Sequence, residues 1–204
     1  DDIIVVRKDG IMQVSKVSQK AFFGKDIIHV AVWKRGDERT VYNCIYLDGA
    51  TGRSMMKRFN VPAITRDREY AITKGTPKSR ILYFTANPNG EAEIVTVFLR
   101  ANARLKKLKL DVDFSELAIR GRGAGGNLVS KNAIRKIEMS EEGVSTLGAR
   151  KVWYDETVRT LNAEGRGRLL GEFMADDRIV VFLSSGEYAF TGFDLNTRFD
   201  DKMI

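Results

Sequence analysis

Glycines recur along this chain at nearly even intervals, each between two runs of strand-forming residues. Gly52, Gly90, Gly126 and Gly167 lie 38, 36 and 41 residues apart. A second self-match joins DDIIVVRKDGIMQVSKV at residues 1–17 to DDRIVVFLSSGEYAFTGF at residues 176–193. A period near 40 with several strand signals per unit marks a bladed β-array. Over 204 residues it gives about five units. The competing architecture is a β-sandwich whose hairpins are evenly spaced by coincidence.

The strand signals are local and alternate with turn chemistry. Residues 3–17 place β-branched side chains on either side of Asp9-Gly10, a hairpin turn pair. Residues 27–33, IIHVAVW, run into Arg35-Gly36-Asp37 and are answered by Thr40 to Leu47. Asp48 to Gly52 turns into residues 53–61. ILYFT and EIVTVFL flank Asn87-Pro88-Asn89-Gly90, the mark of another hairpin. Residues 105–114, LKKLKLDVDF, alternate apolar with charged side chains. Residues 117–137, LAIRGRGAGGNLVSKNAIRKI, are expected to form two strands joined by a turn containing Gly121, Gly123, Gly125 and Gly126. That turn lets the backbone approach another group closely, and leaves room for a phosphate beside Arg120 and Arg122. Val152 to Leu161, Leu169 to Phe173 and Ile179 to Phe193 complete the pattern. No stretch holds a 3.6-residue apolar period beyond two turns, although 14–23 and 131–142 could each contain one turn of helix. The expectation is an all-β chain forming one domain over residues 1–204.

Charge points to a partner. The formal net charge is +7 and the pI near 9.5. Residues 100–136 alone carry 10 basic and 3 acidic side chains, whereas residues 137–204 carry 8 and 13. A basic segment beside an acidic one suits a polyanion, most often nucleic acid, bound on part of the surface. Strand alternation selects Arg53, Lys57, Arg58, Arg104, Lys106, Lys107, Lys109, Arg120, Arg122, Lys131, Arg135 and Lys136 as candidates for contact with such a polyanion. No apolar run approaches the roughly 20 residues of a membrane helix, so no membrane partner is expected. The lone Cys44 has no internal disulfide partner and suits a reducing cytoplasm. The chain begins Asp1-Asp2 rather than with Met, which suggests a piece of a longer protein.

Catalytic chemistry finds no footing. His29 is the only histidine, and a histidine metal site or His-based triad needs partners at suitable spacing. A dinucleotide fingerprint needs glycines between a strand and a helix, and Leu128-Val129 begins another strand. The glycines are better explained by a close, bulged turn. The six tyrosines sit in strand patterns that suit packing. No cofactor is expected.

DDIIVVRKDG (1–10), GRGAGGN (121–127) and DDRIVVFLSSG (176–186) resemble the repeat of the C-terminal domain of bacterial type IIA topoisomerase A subunits. These are the A subunit of DNA gyrase and its topoisomerase IV counterpart. The resemblance spans nearly the whole chain. It implies a β-pinwheel, a propeller-like ring of four-stranded blades that exchange strands with their neighbours. It also implies a non-catalytic domain that binds and bends duplex DNA around a basic edge. The catalytic tyrosine would lie elsewhere in the A subunit, and the partners would be the rest of that subunit and the ATPase B subunit. The setting would be the bacterial cytoplasm, at the nucleoid. One departure stands out. Gyrase A subunits carry the heptapeptide Gln-Arg-Arg-Gly-Gly-Lys-Gly, and neither residues 120–126 nor residues 165–168 match it. The departure favours a topoisomerase IV-like subunit, or a diverged gyrase that wraps poorly. A propeller-type protein-interaction or carbohydrate-binding module is the alternative, and it would show exposed aromatics clustered on one face.

Overall fold

The computed structural model describes residues 1–103, 105–174, 177–195, 197–200 and 203. Seventeen strands follow one another among the described residues: β1 (Asp2–Arg7), β2 (Ile11–Lys16), β3 (Ile27–Trp33), β4 (Val41–Leu47), β5 (Ser54–Asn60), β6 (Tyr70–Ala71), β7 (Arg80–Asn87), β8 (Glu91–Leu99), β9 (Lys109–Asp113), β10 (Ile119–Gly121), β11 (Asn127–Ser130), β12 (Ile134–Ser145), β13 (Arg150–Asp155), β14 (Thr160–Asn162), β15 (Arg168–Phe173), β16 (Ile179–Phe182) and β17 (Tyr188–Thr191). The only helix among the described residues is a 3-10 turn at Phe114–Glu116, so the chain is all-β. The helical turns expected at 14–23 and 131–142 do not form. Strands β2 and β12 occupy part of those stretches instead. No helix among the described residues is long and apolar enough to cross a membrane.

Among the described residues the strands form five sheets, the number given by the glycine period. They hold four, five, three, three and two strands rather than four each. Their orders are β3-β1-β2-β6, β10-β5-β4-β7 with β11 also on β5, β12-β8-β9, β14-β13-β15, and β16-β17. The chain divides into two compact units, Asp1–Gly143 and Val144–Ile204. The first carries 26 basic and 17 acidic side chains, the second 8 and 10.

Some expected hairpins form and others do not. β1 pairs with β2 around Asp9-Gly10, β4 with β5, and β16 with β17. β3 and β4 do not pair: β3 joins β1, and β4 lies between β5 and β7. Likewise β7 pairs with β4, while β8 joins β9 and β12. The stretch 117–137 departs furthest from expectation. β10 runs parallel to the Arg58–Asn60 end of β5, and β11 runs antiparallel to its Ser54–Met56 end. The glycine-rich segment carries the chain from one half of that edge to the other, and does not close a hairpin.

Burial explains the exchange. In the first unit the second sheet is the middle layer, so the first six residues of β4, VYNCIY, are all buried. Tyr42, Cys44 and Tyr46 share one core with Ile4, Val6, Met12 and Val14 of the first sheet. Ile45 points the other way, into a core with Val95, Val97, Val112 and Phe114. A strand covered on both faces cannot share a one-sided hairpin with β3, whose Ile28, Val30 and Val32 remain exposed at a sheet edge. His29 points inward from β3, with its ring 5.8 Å from Tyr42 and 5.4 Å from Phe84. Burial lowers its pKa. In the second unit Val152, Tyr154, Leu161, Phe193 and Phe199 form a separate core.

Two candidates for DNA contact are structural instead. Arg58 is 2% exposed. Its Nε donates to Asn43 Oδ1 at 3.0 Å, and its Nη2 to the Gly90 and Glu91 carbonyls at 2.9 and 3.3 Å. Asn43 Nδ2 donates in turn to Glu93 Oε2 at 2.6 Å, and Tyr83 and Thr85 donate to Glu93 Oε1. Lys57 is 3% exposed. It points to the opposite face of β5, where Nζ donates to the Arg122 and Ala124 carbonyls. It also stands 4.9 Å from the Phe59 ring. Alternation in a doubly covered strand sends both side chains inward, so neither reaches a ligand.

Arg58→Met should cost about 3–5 kcal/mol in urea unfolding, because Glu93 is left buried without a countercharge. Arg58→Met with Glu93→Leu should recover most of that loss. Equal losses in the single and double variants would show that the charge balance is not what holds the two layers together.

Burial lowers the Lys57 ammonium to about 8, below its ordinary 10.5. Between these values the unfolded chain binds the extra proton, so the Lys57 contribution to stability rises with pH across that window. The neutral amine keeps two donors for its two carbonyls. The stability gap between the wild type and Lys57→Met should widen by on the order of 2 kcal/mol from pH 7 to pH 10. A constant gap would rule out a buried, depressed Lys57.

Candidate nucleic-acid interface

Arg104 lies outside the described residues, and Lys57 and Arg58 are buried. Of the other nine candidates, Arg53, Lys106, Lys107, Lys109, Arg120, Lys131, Arg135 and Lys136 are exposed and Arg122 is half-buried. The structure gathers several of them on the third sheet. Along β8, Val95, Val97 and Leu99 face the core, which leaves Ile94, Thr96 and Phe98 on the outer face. Lys109 on β9 lies directly opposite Phe98. Its Nζ is 5.1 Å from the Phe98 ring centroid, with Lys136 at 4.4 Å and Arg135 at 5.9 Å. Three cations from two flanking strands thus meet over one aromatic ring.

The ring's negative face attracts each cation by roughly 0.5–1 kcal/mol at an exposed site. The cations repel one another, and the Lys136–Glu138 contact at 2.6 Å is an exposed pair of little net strength. The site therefore holds positive charge in a fixed pattern with few internal partners, as a row of phosphates requires. Along the same ladder Thr96 donates to Asp111 at 2.7 Å, so the positive charge is confined to one end. Sequence reasoning missed Phe98. Its signal was an aromatic on the polar face of an alternating strand, two residues before the basic segment.

A second group lies on the second sheet. Ser130 pairs with Ser54, and exposed Lys131 and Arg53 are the chain neighbours of that pair. Arg122 stacks 4.5 Å from the Tyr70 ring and donates to the Ala63 carbonyl at 3.2 Å. Arg68, which the sequence reading did not select, lies 5.4 Å from the same ring. Between Arg120 and Asn127 the chain is pinned from beneath. Lys57 takes the Arg122 and Ala124 carbonyls, and the Tyr46 hydroxyl donates to the Gly125 carbonyl at 2.5 Å. Gly126 ends the segment at φ 77°, where a Cβ would lie 2.3 Å from the Met56 carbonyl oxygen. Gly167, its counterpart in the period, has φ 80° and a Cβ position 2.1 Å from the Tyr154 carbonyl oxygen. Only glycine fits either place.

The second unit differs. Val180, Phe182, Tyr188 and Phe190 are exposed, and Val180 pairs with Phe190 and Phe182 with Tyr188 across one face of the β16–β17 hairpin. Tyr188 lies 6.2 Å from Phe182 and 5.8 Å from Phe190, measured between ring centroids.

Comparison with known proteins gives a family. The sequence matches the family described as "Topoisomerase C-terminal domain, Bacteroidota" over residues 1–142 and 160–204. No curated protein matches it. Among solved structures, the chain is similar to one described as the crystal structure of the C-terminal domain of DNA topoisomerase IV. The identity is 12%, with 99% of this chain and 72% of that chain covered and a TM-score of 0.47. With the family match running through both compact units, the chain belongs to the topoisomerase C-terminal domain family of Bacteroidota.

Proposed function

We propose that the chain binds and bends duplex DNA as the non-catalytic C-terminal part of a topoisomerase A subunit. The observation that carries this reading is the convergence of Lys109, Arg135 and Lys136 around Phe98, within the most basic part of the sequence. Cations held on a rigid sheet neutralise phosphates and release counterions, giving affinity with little sequence preference. A bent duplex reaches more of them. Bending 20–30 base pairs by 40–90° costs on the order of 1–6 kcal/mol, which the added contacts must offset. In a propeller-like pinwheel the cations would lie along a curved edge, and the domain would present a DNA segment to the cleavage machinery of the rest of the A subunit and the ATPase B subunit in the bacterial cytoplasm. It needs no cofactor for this. The missing heptapeptide favours topoisomerase IV-like behaviour over gyrase-like wrapping.

A second reading, a protein-interaction or carbohydrate-binding module, is favoured by the exposed Phe182, Tyr188 and Phe190 on one face of β16–β17. It applies to the second unit and leaves the DNA reading of the first intact.

Fluorescence anisotropy with a 30-base-pair duplex tests the first reading. With 6–10 phosphate contacts, affinity should fall by about 10³–10⁵ between 50 and 200 mM salt. Lys109→Glu with Arg135→Glu and Lys136→Glu should weaken binding at least about tenfold and flatten the slope of log K against log salt by about 2.7. Arg166→Glu with Arg168→Glu and Arg178→Glu should leave both nearly unchanged. Equal effects from the two sets would replace a localised interface with a diffuse charge effect.

Handedness is a separate matter. Plasmid relaxed by a nicking-closing enzyme in the presence of the chain should show little change in linking number. A strong positive shift at modest protein excess would mean that wrapping survives without the heptapeptide.

A further inference from the structure

We infer that the free edge of β3 is a docking edge for a second copy of this chain, the two β3 strands pairing antiparallel about Val30. In an antiparallel sheet with one solvated face, apolar side chains face the core and polar ones face water. The first sheet keeps this rule on β2, where Met12 and Val14 join the core and Gln13 and Ser15 take the other face. It breaks the rule on β3. His29, Ala31 and Trp33 face inward, whereas Ile28, Val30 and Val32 on the outer face are 40%, 54% and 58% exposed. On β1, Val5 lies opposite Val30 and Ile3 opposite Val32. The outer apolar strip therefore widens to Ile3, Val5, Ile28, Val30 and Val32, and it ends at Gln13 and Ser15 of β2.

The exception is confined to a strand with an open edge. Among the described residues β3 pairs with β1 alone. Exposed edges are usually blunted by a lysine, a proline or an inward-pointing charge. Residues 27–33, IIHVAVW, contain no lysine and no proline, and burial lowers the pKa of inward-facing His29. A bulge falls at Ile28, and the ladder to β1 is regular from His29 to Trp33. On its open side that stretch offers backbone donors and acceptors to another strand.

The residues in and around β3 fit their own copy. A closed pair of identical chains uses one patch twice, so residue i meets j and j meets i. Facing side chains of an antiparallel pair share a face, so only registers that set Ile28, Val30 and Val32 against one another extend the apolar strip. The register centred on Val30 does so completely, with Val30 opposite Val30 and Ile28 opposite Val32. It also sets exposed Asp26 opposite exposed Lys34 at both ends. Exposed Lys25 and Arg35 come opposite each other one residue further out, where water and salt screen them. Centring on Ala31 would put Lys34 against Ile28, and centring on His29 would put Asp26 against Val32. Two seven-residue strands cover less than the roughly 1,200 Å² of a standard interface, so the dimer is a weak one. Nothing in this pairing depends on DNA.

The test is sedimentation velocity of the whole 204-residue chain, free of nucleic acid. It should show a monomer at about 5 µM and a growing dimer toward about 500 µM, as a weak edge-to-edge contact requires. Val30→Lys sets two ammoniums face to face and should weaken the dimer at least about tenfold, with the melting temperature nearly unchanged. Cysteine crosslinking reads the register. Facing Cα atoms lie about 4.5–5.5 Å apart, within the span of a disulfide, so Val30→Cys should crosslink to itself under mild oxidation. Val32→Cys should not, because its own copy lies about 13 Å away along the strand, but it should crosslink when mixed with Ile28→Cys. Cys44 is fully buried and takes no part. A monomer at every concentration would overturn a second copy as the occupant of this edge. A dimer indifferent to Val30→Lys would place the interface elsewhere, and equal crosslinking at all three positions would mean collision without register. Either result would overturn the pairing.

Discussion

The buried contact chain from Arg58 through Asn43 to Glu93 is the constraint on which the first unit depends. Taking a guanidinium and a carboxylate out of water costs several kcal/mol per ion, recovered only when both are almost fully hydrogen-bonded. Here Arg58 has a side-chain and two carbonyl acceptors, and Glu93 has three donors from β4 and β7. The partners come from β4, β5, β7, β8 and the turn before β8, so the second and third sheets can meet in one register only. A slip of one residue would turn Glu93 outward and bring Ile94 in its place, leaving Arg58 without a counterion. That register in turn places Phe98 and its cations on the outer face. The basic surface owes its geometry to a buried charge pair.

The same pair shows where the sequence could be read and where it could not. Hairpins made by neighbouring residues were legible, because Asp9-Gly10 and the alternation around it act locally. The partners of β3, β4, β7 and β8 were not. Arg35-Gly36-Asp37 and Asn87-Pro88-Asn89-Gly90 have the composition of hairpin turns but carry the chain from one sheet to the next. What decides between the two outcomes is which layer the following strand packs into, a tertiary fact. VYNCIYL does carry a trace of it, since only Asn43 interrupts its apolar run. Lys57 and Arg58 were misplaced for the same reason. Charge on a strand reads as solvent-facing unless the strand is known to lie between two layers.

Charge distribution was more legible than charge position. The surplus in residues 100–136 includes Lys109, Arg135 and Lys136, which come from β9 and β12 and meet at β8. Their convergence depends on β8 lying between two strands that are 20 or more residues apart in sequence. No periodicity within the basic segment specifies that neighbour. Phe98 is the residue that organises the group, and it lies just outside the segment whose composition drew attention to it.

Glycine carries two separate messages in this chain, and they were read as one. Gly52, Gly90, Gly126 and Gly167 all have positive φ, so the period near 40 records where the backbone must turn in a way other residues resist. That is a statement about fold. Gly121, Gly123 and Gly125 have neither that conformation nor a crowded Cβ position, and they contribute nothing to the period. They lie above Lys57, a residue whose ammonium is expensive to bury and which a methionine could replace in volume.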